Sequence, residues 1–202
     1  MADVTIIDNG GANIASLRYA LERLGASSTL ARDVETLRAA RRVILPGVGA
    51  AADAMQRLRI LQLDTVIPHL TQPVLGICLG MQLLFERSDE GDTACLGIIP
   101  APVTRFEVPD GLPVPHMGWN TMNPRRESPL TRGVDRDAYV YFVHSFVAPV
   151  GSWTVATTTY GGEFSAVVAH RNFLGAQFHP ERSSRVGSRV LANFLELDPA
   201  CS

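Results

Sequence analysis

The fold is decided by the stretch Pro73-Val74-Leu75-Gly76-Ile77-Cys78-Leu79-Gly80-Met81-Gln82-Leu83-Leu84-Phe85. Its first five residues are apolar, rich in branched side chains and begin with a proline, which is typical of a buried strand. Met81, Leu84 and Phe85 recur at the spacing of one face of a helix. The pattern therefore predicts a strand over residues 73–77 and a helix that begins directly after Cys78.

Cys78 falls at this predicted strand-to-helix turn. A thiol at a helix N-terminus faces unpaired N–H groups and the positive end of the helix dipole, and both favour the thiolate. Gly76 and Gly80 flank it at the G-x-nucleophile-x-G spacing of hydrolase elbows. In such a turn the N–H of Leu79 can donate to an oxyanion, and Gln82, one helical turn further, can reach a substrate held over the sulfur. A buried structural cysteine is the alternative interpretation.

Outward from this stretch, the N-terminal part of the chain alternates strands and helices. Strands are predicted at Val4–Ile7, Thr29–Ala31 and Arg42–Leu45, with a helix from Ile14 to Leu24 and a shorter one at Asp33–Ala40 between them. This alternation indicates a parallel sheet covered by helices on both faces, with ligands bound at the carboxyl ends of its strands.

The last third of the chain is β-rich and ends in a predicted helix after Ser183. It contains four β-rich runs: Tyr139–Ala148, Trp153–Tyr160, Glu163–Ala169 and Phe173–Phe178. The proline-rich stretch 100–129 predicts loops and edge strands. Its apolar, aromatic segment Pro115–Asn120 is interpreted as a loop that forms a pocket wall or a partner surface, with packing under the sheet as the alternative. We expect an α/β fold, a single-domain three-layer sandwich over residues 1–202. Its central sheet is mostly parallel and twisted, with helices on both faces and an added β-hairpin region in the C-terminal half.

Composition narrows the class of function. The net charge of −2, the pI near 6.2 and the absence of a basic stripe argue against nucleic-acid binding. Every basic residue is Arg, which excludes a Walker A lysine and a Schiff-base lysine. Cys78, Cys95 and Cys201 are widely spaced, without metal-ligand spacing, which fits a reducing cytoplasm. No apolar run approaches the ~20 residues that span a bilayer, so we expect no membrane segment. The cysteine and histidine spacing predicts no metal site, and we expect no cofactor.

A glycine-rich loop, Pro46–Ala50, follows the third predicted strand and emerges at the same end of the sheet as Cys78. The N–H of Val48 or of Gly49 in this loop can supply a second oxyanion donor. A plain strand-to-helix turn is the alternative, since such loops are common in α/β folds.

A cysteine nucleophile needs a histidine and a group that orients this histidine. His179 precedes Pro180 and Glu181 on an extended segment, so the side chains of His179 and Glu181 lie on one face and can form a hydrogen bond. Four histidines have no carboxylate that local structure would bring to them: His69, His116, His144 and His170. Together with Cys78, His179 and Glu181 predict an acyl-transfer site, although an incidental surface turn would give the same local sequence.

The motifs Gly76–Gln82 and Phe178–Glu181 resemble those of the triad glutaminases, the class I glutamine amidotransferases. Three further segments resemble the glutaminase subunits of imidazole glycerol phosphate synthases: Pro46–Ala50, Pro115–Asn120 and Tyr141–Phe146. The resemblance extends from Asp8 to the C-terminal helix. Asn9 and Ala12 depart from it, since the family usually has an aromatic residue and a glycine there.

The resemblance implies that Cys78 attacks the side-chain amide of L-glutamine and forms a thioester, which water then hydrolyses to glutamate. His179 would serve as acid and base, and Glu181 would orient it. Two further sets of residues are implied: Leu79, Val48 and Gly49 at the oxyanion, and Gly47 and Gln82 at the substrate.

The resemblance also implies a heterodimer with a cyclase subunit of (β/α)8 barrel type. The ammonia would pass to this subunit, which forms imidazole glycerol phosphate and aminoimidazole carboxamide ribotide in histidine biosynthesis. The partner interface would include Asn13, Met117 and Trp119. Two alternatives remain open at this point: a stand-alone cysteine hydrolase of γ-glutamyl compounds, and a non-catalytic interaction subunit, which would be expected to have lost a triad residue.

Overall fold

In the N-terminal half of the computed structural model, which describes residues 3–8, 10, 14–109 and 111–198, strands and α-helices alternate as far as Ser88. The strands in this half are β1 Val4–Ile7, β2 Ser28–Ala31, β3 Val43–Gly47, β4 Val74–Cys78, β5 Phe85–Ser88, β6 Thr93–Ala94 and β7 Ile99–Arg105. The helices are α1 Ile14–Arg23, α2 Val34–Arg38, α3 Ala51–Ile60 and α4 Leu79–Gln82. The second half adds β8 His116–Pro124, β9 Ala138–His144, β10 Phe146–Val147, β11 Thr154–Tyr160, β12 Gly162–His170, β13 Phe173–Ala176 and α5 Ser184–Leu195.

The central sheet has the strand order β2-β1-β3-β4-β13-β12-β11-β8-β9. All neighbours from β2 to β13 are parallel, and all those from β13 to β9 are antiparallel. The strands β1, β3 and β4 are buried along their whole length, as expected for parallel strands covered on both faces. This topology confirms the predicted parallel sheet with an added hairpin region.

Alternate residues of the parallel strands enter two separate cores. Val43 and Leu45 on β3 pack in the same cluster as α3, whereas Ile44 packs in the cluster that contains α1 and α5. Because successive side chains of a strand point to opposite faces, one apolar strand serves both cores. The helices therefore cover both faces of the sheet, and the predicted three-layer α/β arrangement is confirmed.

A second, four-stranded sheet with the order β10-β7-β5-β6 was not predicted. The prediction that the helix after Cys78 includes Leu84 and Phe85 is wrong, because α4 ends at Gln82 and Phe85 begins β5, paired with Ile99. Met81, Leu84 and Phe85 are all fully buried. A short apolar run that is buried throughout has no face that distinguishes a helix from a strand, so pairing with β7 decides its conformation.

The interpretation of Pro115–Asn120 as a loop is also wrong. Residues from His116 onward belong to β8, which lies between β11 and β9. In β7 the prolines occupy the exposed positions Pro100 and Pro102, while Ile99, Ala101 and Val103 are buried. No helix in the described ranges is long and apolar enough to cross a membrane.

Candidate active site

Cys78 sits on the predicted strand-to-helix turn, at the end of β4 and immediately before α4. Its φ of 53° and ψ of −112° are strained for a residue with a side chain, and such strain persists only where the surroundings enforce it. The enforcing contacts are those of the two flanking glycines. A Cβ on Gly80 would lie 1.8 Å from the carbonyl oxygen of Leu45, and one on Gly76 would lie 2.6 Å from the carbonyl oxygen of Gly80.

Gly80→Ala is therefore expected to destabilise the chain by at least about 3 kcal/mol, the upper end for overpacked sites, because the clashing atom is backbone. The change is measured as the free energy of unfolding in denaturant. Gly162→Ala is the matched control, since a Cβ at Gly162 meets nothing within 4 Å. Equal stability of the two variants would contradict the close approach of α4 to β3.

His179 and Glu181 are in direct contact. Nδ1 of His179 lies 2.9 Å from Oε1 of Glu181, and since a carboxylate only accepts, Nδ1 carries the proton. The His179 backbone N–H donates to the carbonyl of Tyr141 on β9 (2.9 Å), and the Ser183 hydroxyl donates to the His179 carbonyl (2.7 Å). Glu181 lies in a short 3₁₀ helix, Pro180–Arg182. These contacts fix the imidazole ring and leave its Nε2 free to act.

The surroundings of His179 favour its charged form. Burial opposes protonation, but hydrogen bonding to Cys78 and Glu181 and the negative charges of both outweigh it and raise the pKa of His179 to about 10. Among the described residues, Nε2 has no partner at hydrogen-bonding distance and angle, and neither has Oε2 of Glu181. We therefore regard the effect of Cys78 as the attraction of a nearby sulfur rather than as a formed hydrogen bond.

Cys78 and His179 line one cavity of about 400 Å³. Four residues that the resemblance assigned to the oxyanion or the substrate also line it: Val48, Gly49, Leu79 and Gln82. Gly47 does not. It pairs with Cys78 in the sheet and lines a smaller crevice behind the cavity, next to Glu181.

Gln82 is held by the protein itself. Its Nε2 donates to the carbonyl of Phe146 and to Oε1 of Gln177, each at 2.9 Å. Nε2 of Gln177 lies 3.9 Å from Sγ of Cys78, and Sγ lies 3.7 Å from the carbonyl oxygen of Val143. The nucleophile is thus surrounded by a fixed polar frame.

Sequence reasoning gave no role to several residues that line the cavity: Glu90, Val143, His144, Ser145, Phe146 and Arg182. Glu90 comes from the turn between β5 and β6, and its Oε2 accepts a hydrogen bond from the N–H of Ala51 at the start of α3 (2.8 Å). No local pattern marks this residue, because the sheet that carries it was not predicted. The position of Arg182 near the site could have been predicted, because this residue directly follows Glu181.

The outer face of the β8–β9 pair is apolar and exposed. Met117 is 63% exposed, Trp119 52% and Tyr139 60%. Trp119 lies opposite Tyr141 in the sheet and contacts its ring edge to face, with 6.0 Å between the centroids. Arg182, at the cavity, lies over the same Tyr141 ring at 5.9 Å. The residues Asn9, Ala12 and Asn13 lie outside the described part of the chain.

A nucleophile elbow, a histidine oriented by a carboxylate, and a sheet with one parallel and one antiparallel half define a class of enzymes. The chain belongs to the class-I glutamine amidotransferases, because the family model with the description "Glutamine amidotransferase class-I" matches residues 5–197. Its relatives include imidazole glycerol phosphate synthase subunit HisH of Xanthomonas axonopodis pv. citri (strain 306), 54% identical over 197 residues, with 98% of each chain covered. The subunit of the same name from Idiomarina loihiensis is 53% identical, with 96% of this chain and 98% of that one covered.

Solved structures agree with this family assignment at the level of the fold. A structure described as a glutamine amidotransferase has a TM-score of 0.74 at 19% identity, over 96% of this chain and 97% of that one. A putative GMP synthase protein from Thermoplasma acidophilum has a TM-score of 0.72, also at 19% identity, over 95% and 91% of the two chains.

Proposed function

We propose that this chain hydrolyses L-glutamine to L-glutamate and ammonia, and supplies the ammonia to a cyclase subunit that forms imidazole glycerol phosphate and aminoimidazole carboxamide ribotide in histidine biosynthesis. The observation that carries the proposal is one cavity that holds both Cys78, on a strained elbow, and His179, bonded to Glu181. Relatives named as subunits of imidazole glycerol phosphate synthase match the chain over nearly its whole length, which supports the assignment of the pathway.

In the first half-reaction, Sγ of Cys78 forms a bond to the amide carbon of glutamine, and the carbonyl electrons move onto oxygen. The N–H of Leu79 stabilises this oxyanion, since the first N–H groups of a helix have no partner within it. A second donor comes from Val48 or Gly49, which also line the cavity. The carbon–nitrogen bond then breaks, and the protonated Nε2 of His179 gives its proton to the departing ammonia.

In the second half-reaction the His179 ring must accept a proton instead of donating one. One of the influences that raise the pKa of His179 is the negative charge of the nearby Cys78 sulfur. Thioester formation removes that charge, so the pKa of His179 falls and the neutral ring can take a proton from water. The water attacks the thioester carbon, the carbon–sulfur bond breaks, and glutamate leaves with the Cys78 thiolate restored.

The cavity also offers countercharges for the two ends of an amino acid. Glu90 and Arg182 line it together with Cys78 and His179. In this proposal the Glu90 carboxylate attracts the α-ammonium group of glutamine and the Arg182 guanidinium attracts its α-carboxylate. Because the Glu90 side chain already accepts from the N–H of Ala51, its position is set before substrate binds.

The cyclase is proposed to dock on the face that includes Met117, Trp119 and Tyr139. Exposed aromatic residues and methionine are typical of the energetic centres of interfaces, and this face adjoins the cavity through Tyr141 and Arg182. The resemblance adds Asn13, which lies outside the described residues, to the proposed interface. The heterodimer would act in the cytoplasm, with residues 1–202 as one glutamine amidotransferase domain. A stand-alone hydrolase of γ-glutamyl compounds is not favoured, because it would not need this face.

The function is tested by measuring glutamate release from glutamine by the chain alone, with a cyclase subunit, and with the cyclase and its nucleotide ligand. We expect activation by about 10²–10³, the effect of one oxyanion donor, because Gly49 at φ +86° lies in a loop whose N–H groups can reorient. The cyclase must bind the active state of this loop more tightly than the inactive one. Full activity of the isolated chain would favour the stand-alone hydrolase.

Two variants control this experiment. Trp119→Ala should reduce the activation, since Trp119 is exposed on the proposed docking face, whereas Ile60→Ala, 71% exposed at the end of α3, should leave it unchanged. Equal effects of the two substitutions would place the interface elsewhere.

A further inference from the structure

Two histidines beside the cavity have no part in the reaction described above. His116 on β8 and His144 on β9 lie opposite each other in the sheet, and both are buried, at 3% and 6% exposure. The His116 ring is stacked between Tyr160, with a centroid distance of 4.0 Å, and Phe142, at 4.9 Å. Packing therefore fixes the orientation of the His116 ring, so its hydrogen bonds are set by the fold.

The two rings belong to one continuous series of hydrogen bonds. Nδ2 of Asn120 lies 3.3 Å from Nε2 of His116, Nδ1 of His116 lies 3.1 Å from Nε2 of His144, and Nδ1 of His144 lies 2.8 Å from the carbonyl oxygen of Phe146. The same carbonyl accepts from Nε2 of Gln82. This series of hydrogen bonds thus begins at Asn120 on β8 and ends in the wall of the cavity.

The contacts at the two ends of this series determine which atom donates and which accepts in each hydrogen bond. Oδ1 of Asn120 accepts from the N–H of Thr121 (2.8 Å), so its Nδ2 is the donor, and one of its hydrogens goes to the Thr159 carbonyl (3.0 Å). The other hydrogen faces Nε2 of His116, which must accept. At the far end, a carbonyl oxygen only accepts, so Nδ1 of His144 must donate.

One arrangement of protons satisfies every hydrogen bond in this series. His116 is neutral with its proton on Nδ1, which donates to Nε2 of His144, and His144 is neutral with its proton on Nδ1. A further proton on either ring would sit on a nitrogen that already faces a donor. Neither histidine can therefore serve as a general base without losing one of these hydrogen bonds.

We propose that His116 and His144 are positioning residues that remain neutral, both as Nδ1–H tautomers, and hold the cavity wall Val143–Phe146 against Cys78. They act through the Phe146 carbonyl, which anchors Gln82, and through Val143, whose carbonyl oxygen is 3.7 Å from Sγ of Cys78. This role rests on the proposed glutaminase reaction, but the protonation pattern follows from the contacts alone.

The electrostatic surroundings agree with neutral rings. Burial lowers the pKa of His116 to about 4 and, aided by His116 and His179, lowers that of His144 to about 3 despite the Phe146 carbonyl. Tyr160 is stacked on His116, and the titratable groups that line the cavity together with His144 are Cys78, Glu90, His179, Glu181 and Arg182. The carboxylate of Glu90 accepts from the N–H of Ala51 and that of Glu181 from Nδ1 of His179, and neither is hydrogen-bonded to His116 or His144, as a buried imidazolium would need.

The tautomers are tested by ¹⁵N NMR of the full chain with labelled histidine. We expect His116 and His144 each to carry one proton, on Nδ1, with nitrogen shifts that do not change between about pH 5.5 and about pH 9, where an ordinary histidine would titrate. A proton on Nε2 of either ring, or titration within this range, would overturn the proposal. This result does not depend on whether glutamine is the substrate.

The positioning role is tested with a pair of variants at His144. His144→Phe keeps an aromatic ring but removes the donor, whereas His144→Asn keeps a donor near the position of Nδ1. We expect kcat for glutamine, per site titrated with a glutamine-mimicking electrophile, to fall about tenfold in the Phe variant and to be largely restored in the Asn variant, with KM changed less. Wild-type kcat in the Phe variant, or no restoration by Asn, would show that His144 merely packs.

Discussion

Cys78→Ala is expected to abolish the release of glutamate from glutamine, with a loss in kcat on the order of 10⁶-fold, as for the loss of a nucleophile in a serine protease. Sγ of Cys78 is the sulfur at the strained elbow, and no other cysteine lines the cavity in the described part of the chain. The variant should fold, because removal of one sulfur that is 6% exposed leaves the flanking glycines and the strand pairing intact. The measurement is glutamate formation in the complex with the cyclase.

Two controls separate the loss of chemistry from the loss of structure. Ser145→Ala removes a hydroxyl that also lines the cavity and should preserve turnover within a few fold, because Ser145 has no role in the proposed reaction. The complex of Cys78→Ala with the cyclase should still form product when ammonium is supplied directly. Comparable glutamate release by Cys78→Ala and the unaltered chain would refute the thioester mechanism.

The site was predictable from sequence where it depends on local geometry. The glycines around Cys78 and the proline between His179 and Glu181 each fix the relation of neighbouring residues, and the structure has both the turn and the 2.9 Å contact. The alternation of strands and helices likewise predicted the parallel half of the sheet, which places the Pro46–Ala50 loop beside Cys78. In these cases the cause of the structure lies within a few residues of the chain.

The parts that sequence did not reveal depend on contacts between distant segments. Phe85 becomes a strand residue because Ile99 pairs with it, and Glu90 reaches the cavity only through the turn that this second sheet creates. No role could be assigned to His116 and His144 from sequence. Their protonation pattern depends on the contact between the two rings, 28 residues apart, and on the side-chain amide of Asn120. Hydrogen bonds of this kind have no signature in local spacing.

His179→Ala is expected to be nearly as damaging as Cys78→Ala, because residues that act as a unit cause similar losses when either is removed. Glu181→Gln should cost less, about 10⁴-fold or below, since the amide oxygen can still accept from Nδ1 and keep the ring oriented. His170→Ala, at the far end of β12, is the matched control and should leave kcat unchanged. An equal loss at His170 would mean that His179 is not the base.

The titration of His179 provides the sharpest test of its pairing with Cys78. Since its pKa is raised to about 10, the protonated ring contributes stability that is complete below its ordinary value near 6.5 and is lost as the pH rises through about 10. The unfolding free energies of the unaltered chain and of His179→Ala should therefore differ most below about pH 6.5 and approach each other as the pH rises through about 10. In Cys78→Ala the charge of the sulfur is gone, and the pKa of His179, measured by NMR, should fall. The same pKa in both proteins would show that sulfur and ring do not interact, and thioester formation could then not convert His179 into the neutral base of the second half-reaction.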